Sequence, residues 1–386
     1  MYDYIIIGAG FAGSVLAERI ASQLDKKVLV IDKRKHIGGN CYDHFDKHGI
    51  LIHKYGPHLF HTDNKMVFDY LSQFTNWLNY HHKVLAYIDG QNIPIPFNLN
   101  SIRLLFPDYQ ASLLEEKLIA KFGYGKKVPI LDLLKEDDRD LKFLSNFIYE
   151  KVFASYTSKQ WGCKPEDISP EVTARVPVHI SKDDRYFQDR YQVIPEHGYT
   201  KIFEHLLDHN NISLLLQTDY KELLDICPES GKIKLLDSHF NGQLIYTGMI
   251  DEFFDFKFGP LPYRSLQFSL TNFAKKSYQQ VTTVNYPNDY DFTRITEFKK
   301  LTGQQADTTT IVKEFPQDYE PNDPQKNIPY YPFFKDENIK KYEKYKQHSL
   351  QFKNISLVGR LAEFRYYDMD DIVERALNVF QSEFLK

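Results

Sequence analysis

Apolar residues fall in short blocks along the chain, and the spacing within the blocks changes character. Tyr4-Ile5-Ile6-Ile7 is a compact β-branched run, the mark of a parallel strand buried on both faces. After Gly8-Ala9-Gly10-Phe11-Ala12-Gly13 the spacing turns helical from about Ser14 to Leu24. Lys27 to Ile31 is then a second apolar strand, ending at Asp32. Helical spacing recurs at Val67, Phe68, Leu71 and Phe74, opened by Asp63, and again from Asn98 to about Phe153, where it predicts an all-helical insertion. Between them, Val84 to Ile88, Asp89-Gly90 and Gln91 to Phe97 read as a hairpin whose prolines make its second arm an edge strand. Ile212 to Leu216 and Leu244 to Gly248 read as strands returning to the first sheet. From Leu266 the strands come at short intervals without helices between them: Leu266 to Leu270, Gln280 to Asn285, Phe292 to Phe298 and Thr308 to Phe315. They should pair antiparallel in a separate sheet. The strand Asn354 to Arg360 and a helix capped by Asp368, with Met369, Ile372, Val373, Ala376, Leu377 and Phe380 on one face, return to the first fold.

The first forty residues carry the clearest chemistry. Gly8, Gly10 and Gly13 at a strand-to-helix turn let the backbone approach a pyrophosphate lying on the helix N-terminus. Asp32 is placed to accept hydrogen bonds from an adenosine ribose. Arg34-Lys35-His36-Ile37-Gly38-Gly39-Asn40 resembles the extension that follows the acidic residue in a large group of FAD proteins. The expected cofactor is therefore FAD. The predicted fold is α/β: a discontinuous Rossmann-like FAD-binding domain (1–82, 192–250 and 351–386) with an inserted helical domain (98–165) and an antiparallel β-sheet domain. The last takes 83–97, 166–191 and 251–350 and carries a mobile loop, 167–181.

Composition narrows the function classes. Lys plus Arg number 48 against 52 Asp plus Glu, a net charge of -4, which argues against bulk nucleic-acid binding. Cys41, Cys163 and Cys227 show no CxxC spacing, so neither a disulfide framework nor a metal site is expected. No apolar stretch approaches the ~20 residues that span a bilayer, and the glycine-broken N-terminal run is no signal peptide. A cytoplasmic protein is expected. Aromatic residues reach 15%, and the 27 tyrosines suit a pocket that stacks bases and donates hydrogen bonds to phosphates. His58 and His61, around a Gly-Pro turn, have metal-ligand spacing but no further ligands nearby. Uncharged polar contacts near a flavin are the preferred reading, against structural histidines on a turn.

Four stretches resemble bacterial UDP-galactopyranose mutase: Tyr55 to Thr62, Tyr156 to Gly162, Tyr186 to Gln192, and Gly359 to Met369. Ile245-Tyr-Thr-Gly with Asp251 to Phe256, and Tyr263-Arg-Ser-Leu, add to the likeness. The resemblance implies interconversion of UDP-galactopyranose and UDP-galactofuranose for cell-surface polysaccharide. It also implies FAD in its reduced form, a flavin N5–sugar covalent adduct and no net redox change. It implies that Gly8, Gly10, Phe11, Gly13, Asp32, Lys33, Arg34, Gly39, Asn40, His58, His61, Arg360, Asp368 and Met369 bind the cofactor. Phe153 and Tyr156 would sandwich uracil with Trp161 beside them. Arg175, Arg294 and Arg360 would meet the diphosphate or flavin, and Tyr186, Tyr331 and Tyr366 would donate to phosphates. Flavin N5 would be the nucleophile, aided by Arg175, Arg294, His58 and His61. The family also implies a homodimer without nucleic-acid or membrane partners. His82 stands where some members carry Asn near the sugar, and Val152 where an aromatic is common beside the base. Both leave open the same chemistry on UDP-N-acetylgalactosamine. A flavin amine oxidase or desaturase, with an apolar tunnel, and a nucleotide-sugar-binding protein with an idle flavin are the competing readings.

Overall fold

The computed structural model describes residues 2–162, 177–227 and 230–385. Its first sheet is five-stranded and wholly parallel, in the order Ile212–Leu215, Val28–Ile31, Tyr4–Ile7, Gln243–Tyr246, Ile355–Leu357. Alternation explains why these strands read as unbroken apolar runs. Ile6, Val28, Val30 and Ile245 enter one core with the helices Phe11–Leu24, Tyr199–Leu207 and Met369–Val379. Ile5, Ile7, Leu29, Ile31 and Tyr246 enter a second core on the opposite face, with Tyr345 of the helix Asp336–Ser349. Both faces are covered, so neither can carry a polar stripe.

The second sheet has seven strands, ordered Tyr331–Pro332, Tyr263–Phe273, Thr309–Asp318, Arg294–Glu297, Thr283–Asn285, Val84–Ile88, Gln91–Ile95. The last two are the expected hairpin, with Gln91–Ile95 at the edge. One pairing departs from the antiparallel expectation: Thr283–Asn285 runs parallel to Val84–Ala86. The two segments are far apart in sequence, so no hairpin fixes their relative direction. Helices Leu99–Leu105, Asp108–Phe122 and Arg139–Ile148 pack their apolar faces against that hairpin, in a core shared by Val84, Ala86, Ile95, Leu114, Leu144 and Phe153.

Other boundaries differ from the sequence pattern. The helix expected to open at Asp63 begins at Lys65, because Asn64 is the residue whose side chain accepts from the Met66 and Val67 amides. The helical run does not stop at Phe153. A π-helical turn, Tyr149–Ala154, carries it into Ser155–Trp161, and Gly162 closes it at φ +67°. Helix Asp336–Ser349 left no apolar period to read, since only Asn338 and Tyr345 of it are buried. No helix among the described residues is long and apolar enough to cross a membrane.

Candidate active site

The glycine loop follows the first strand, at the C-terminal edge of the parallel sheet. Gly8 has φ +108°, and a Cβ there would lie 2.1 Å from Thr247 Oγ1. A Cβ on Gly13 would lie 1.9 Å from the Gly8 carbonyl oxygen. These positions admit only glycine, and the turn brings helix Phe11–Leu24 up with no side chain capping its N-terminus. Gly10 and Gly39 meet across two loops, a Cβ on Gly39 falling 3.0 Å from Gly10 Cα. Asp32 ties both loops: Oδ2 accepts from the Ala9 amide and Oδ1 from the Arg34 amide, each at 2.8 Å. Lone pairs remain on both oxygens for a ribose. Arg34 Nη1 donates to Asn40 Oδ1 at 3.0 Å, and its guanidinium lies 4.5 Å from the Tyr55 ring centre. The cradle and the open helix end fit a dinucleotide. Lys33 is exposed. The Phe11 side chain is buried in the core against Phe203, ring centres 4.6 Å apart, because the first turn of the helix faces inward there. Only its backbone remains to face a cofactor.

A cavity of about 550 Å³ opens between this loop system and the second sheet. Asn40, His58, His61, His82, Arg294, Arg360, Asp368 and Met369 line it, together with Val152, Phe153, Tyr156, Trp161, Tyr186, Tyr331 and Tyr366. The expected site residues thus converge from sequence positions more than 300 residues apart. Arg175 lies outside the described residues, as do residues 167–176 of the loop expected to move. Val178–His179, at the loop's far end, pairs antiparallel with Lys127–Val128.

Arg360 donates to the backbone carbonyls of Tyr330, at 3.2 Å from Nη1, and of Tyr367. Its guanidinium sits 5.7 and 5.1 Å from the ring centres of Tyr331 and Tyr366, which stack nearly parallel at 5.6 Å. Burial drives the Tyr156 and Tyr331 phenols well above their usual range, so both stay donors. Trp161 is buried against Phe333 and Tyr331, with ring centres 6.2 and 6.3 Å away. Arg294 forms an ion pair with Glu314, Nε to Oε1 2.7 Å, though the N–H is not well aimed at the oxygen. Burial works to lower the Arg294 pKa, but the charge and contact of Glu314 together with the Tyr156 and Tyr331 phenols outweigh it and raise it well above the ordinary value.

The three lining histidines differ sharply. His58 donates Nδ1–H to the Gly56 carbonyl at 2.8 Å, and its amide donates to His53 Nδ1 at 2.9 Å. Burial brings the His58, His53 and His82 pKa values down to about 3, helped at His58 by His53 and at His82 by Arg294, so all three are neutral. His61 behaves otherwise. Its Nδ1 lies 3.3 Å from Asp189 Oδ2, and its ring stacks on Phe187 at 3.6 Å. Burial opposes the charged form, but Asp189 more than compensates and the pKa is raised. The Asp189 carboxylate thus turns inward to His61. Glu314, Asp189 and Phe187 escaped the sequence reading. An acid inside the apolar strand Thr309–Asp318 was the available signal for Glu314; Asp189 had none until strand pairing brought it to His61.

A model of the UDP-galactopyranose mutase family matches residues 151–366, and one of an NAD(P)-binding Rossmann-like domain matches residues 6–74. The chain is 36% identical to dTDP-fucopyranose mutase of Escherichia coli, across 99% of this chain and 98% of that protein. It is 34% identical to UDP-galactopyranose mutase of Mycoplasma pneumoniae, across 97% of this chain and 94% of that one. In structure it is similar to reduced UDP-galactopyranose mutase, with TM-score 0.71 and 15% identity over 100% of this chain and 94% of the other. With a Rossmann-like dinucleotide-binding half and a cavity of arginines, tyrosines and stacked aromatics, the chain belongs to the UDP-galactopyranose mutase family.

Proposed function

We propose that the protein interconverts UDP-galactopyranose and UDP-galactofuranose, using FAD in its reduced state. The observation that carries this is the meeting of Arg294, Arg360, Tyr156, Tyr331 and Tyr366 in one cavity beside the loop of His58 and the helix start at Met369. Guanidinium forks and neutral phenols are the donors that a diphosphate takes up, and an amine or apolar substrate would make no use of the positive charge that both arginines bring to the cavity. FAD would lie on the cradle of Gly8, Gly10, Gly13 and Gly39, with Asp32 at its ribose and the Met369 helix start at its ring end. When reduced it supplies a nucleophilic nitrogen and returns unchanged. Phe153, Tyr156 and Trp161 would hold the base, and Arg175 would join the diphosphate. The three units bounded at 1–82, 98–165 and 251–350, with their outlying segments, would work as a cytoplasmic homodimer.

A second reading has a specific support: the Escherichia coli relative acts on a dTDP-fucose, and its identity to this chain matches that of the UDP-galactose enzymes. The test separates them. Purified protein reduced with dithionite is given UDP-galactose, UDP-N-acetylgalactosamine and dTDP-fucose, and products are resolved by chromatography. Furanose from UDP-galactose, formed only by reduced protein and without consumption of reductant, is the expected outcome. No furanose from any of the three rejects the mutase reading for this chain.

A further inference from the structure

We propose that Asp189 and His61 form the proton carrier of the isomerisation, Asp189 positioning the imidazole and His61 Nε2 exchanging the proton with the cavity. This rests on the mutase reading above. The backbone sets the pair in place. Phe60–Thr62 runs antiparallel to Tyr191–Pro195, with His61 opposite Gln192, so the residues just before that strand fold back onto the histidine. Phe187 covers one face of the ring at 3.6 Å and an interplanar angle of 19°. Asp189 meets Nδ1 at 3.3 Å. Nδ1 is fully buried and, like Arg294 Nε, is paired by charge without being well aimed at the carboxylate oxygen, while the side chain keeps 18% of its surface, facing the cavity. Nε2 is the ring nitrogen left on the open side.

The charges around the pair fit this role. Asp189, Asp368 and Asp370 face His61, and Asp370 is itself tied to Thr62. His82 also faces it, and burial keeps that ring neutral. His61 is accordingly shifted toward the protonated form and Asp189 toward the ionised form, as a matched pair requires. Its cavity neighbours are unsuited to the task. His58 and His82 hold protons too weakly, and burial makes Tyr55, Tyr156, Tyr330 and Tyr331 hold theirs too tightly.

The chemistry needs such a carrier. Turning a pyranose into a furanose breaks the C1–O5 bond and forms a C1–O4 bond. The 4-hydroxyl gives up one proton and O5 gains one, with no net change in protons or electrons. An imidazolium that donates from Nε2 to O5 and is recharged from the 4-hydroxyl ends each cycle as it began.

The test uses the FAD-loaded protein carrying Asp189→Asn, which keeps an acceptor for Nδ1 but removes the charge. The His61 titration, read by NMR of labelled histidine in ligand-free protein, should fall by about one pH unit or more. At neutral pH, kcat should fall about tenfold or more and its pH profile should move in the same direction. KM and UDP affinity should hold, which also reports that the fold is intact, and Asp189→Glu should recover part of the profile. An unmoved His61 midpoint overturns the proposal. So does a lowered midpoint with an unchanged kcat profile. Wild-type protein that binds no UDP would overturn the reading of the cavity itself, a failure distinct from the first because the midpoint is read without ligand.

Discussion

Arg294 and Glu314 stand directly opposite each other on neighbouring antiparallel strands, with Arg294 Nε 2.7 Å from Glu314 Oε1. Glu314 is 1% exposed, and a carboxylate so buried is tolerable only with a cation in contact. The pair fixes the guanidinium by its Nε edge at the cavity wall. Its two terminal nitrogens donate to no protein group among the described residues, which leaves them for a ligand.

Replacing Arg294 with Lys keeps the charge and loses the planar fork. We predict a fall in kcat/KM of at least about a hundredfold, ~3 kcal/mol of transition-state stabilisation, with FAD content unchanged. Glu314→Gln leaves the cation without its counter-charge and should destabilise the fold by about 3 kcal/mol, the low end for a broken buried pair because Arg294 also faces the cavity. Urea unfolding of each variant checks this. Wild-type turnover in the Lys variant would remove Arg294 from the site.

Much of this arrangement was legible in the chain, and the reason is physical. The βαβ unit announces itself because a two-sided parallel strand must be apolar throughout and because Gly8 and Gly13 have no room for a Cβ. The hairpin Val84–Ile95 was readable for the same local reason, a tight Asp-Gly turn. What stayed hidden depends on distant contacts. Asp189 looks like a surface acid until Tyr191–Pro195 pairs with Phe60–Thr62. Phe11, inside a glycine motif, looks like a cofactor residue until Phe203 is seen against it.

The placement of the Phe11 ring is itself testable. Phe11→Leu should lower stability by about 1–2 kcal/mol through imperfect packing. FAD content of the folded protein should remain that of the wild type. Flavin loss without a change in the unfolding midpoint would return Phe11 to the cofactor site.

The buried neutral histidines dictate a pH dependence of stability. His53, His58 and His82 have folded pKa values of about 3 against 6.5 when exposed, so below pH 6.5 the unfolded chain binds protons that the native state refuses. Stability is therefore fully present above pH 6.5 and falls as the pH drops toward 3, by at most about 1.4 kcal/mol per pH unit for each histidine. His61, raised instead, has the opposite sign: its contribution is present at low pH and is lost as pH rises through its folded value. We expect urea midpoints to decline from pH 7 to 5. His53→Asn, which can still accept the His58 amide, should make the decline shallower. Equal slopes for both proteins would show that His53 is not held neutral.

The cavity end proposed to hold the base can be probed through its apolar wall. Val152 lies in the π-helical turn Tyr149–Ala154 next to Phe153, and it lines the cavity with Val84, Ala86 and Ile95. All four are small or branched and apolar, and all belong to one packed core, so this wall is firm and offers no hydrogen bond. Thymine differs from uracil by one methyl group, and burying a methyl against such a wall is worth about 0.8 kcal/mol. We therefore predict that dTDP binds the protein about as tightly as UDP or a few-fold tighter, since the added contact offsets any loss at the missing ribose hydroxyl. Val152→Phe fills the space and should reverse the order, weakening dTDP about tenfold relative to UDP, in line with the cost of one methylene in a filled pocket. Calorimetric titration of both nucleotides into both proteins decides it. If Val152→Phe weakens UDP and dTDP equally, the wall does not touch the 5-position of the base, and nucleotide choice must be set elsewhere in the cavity.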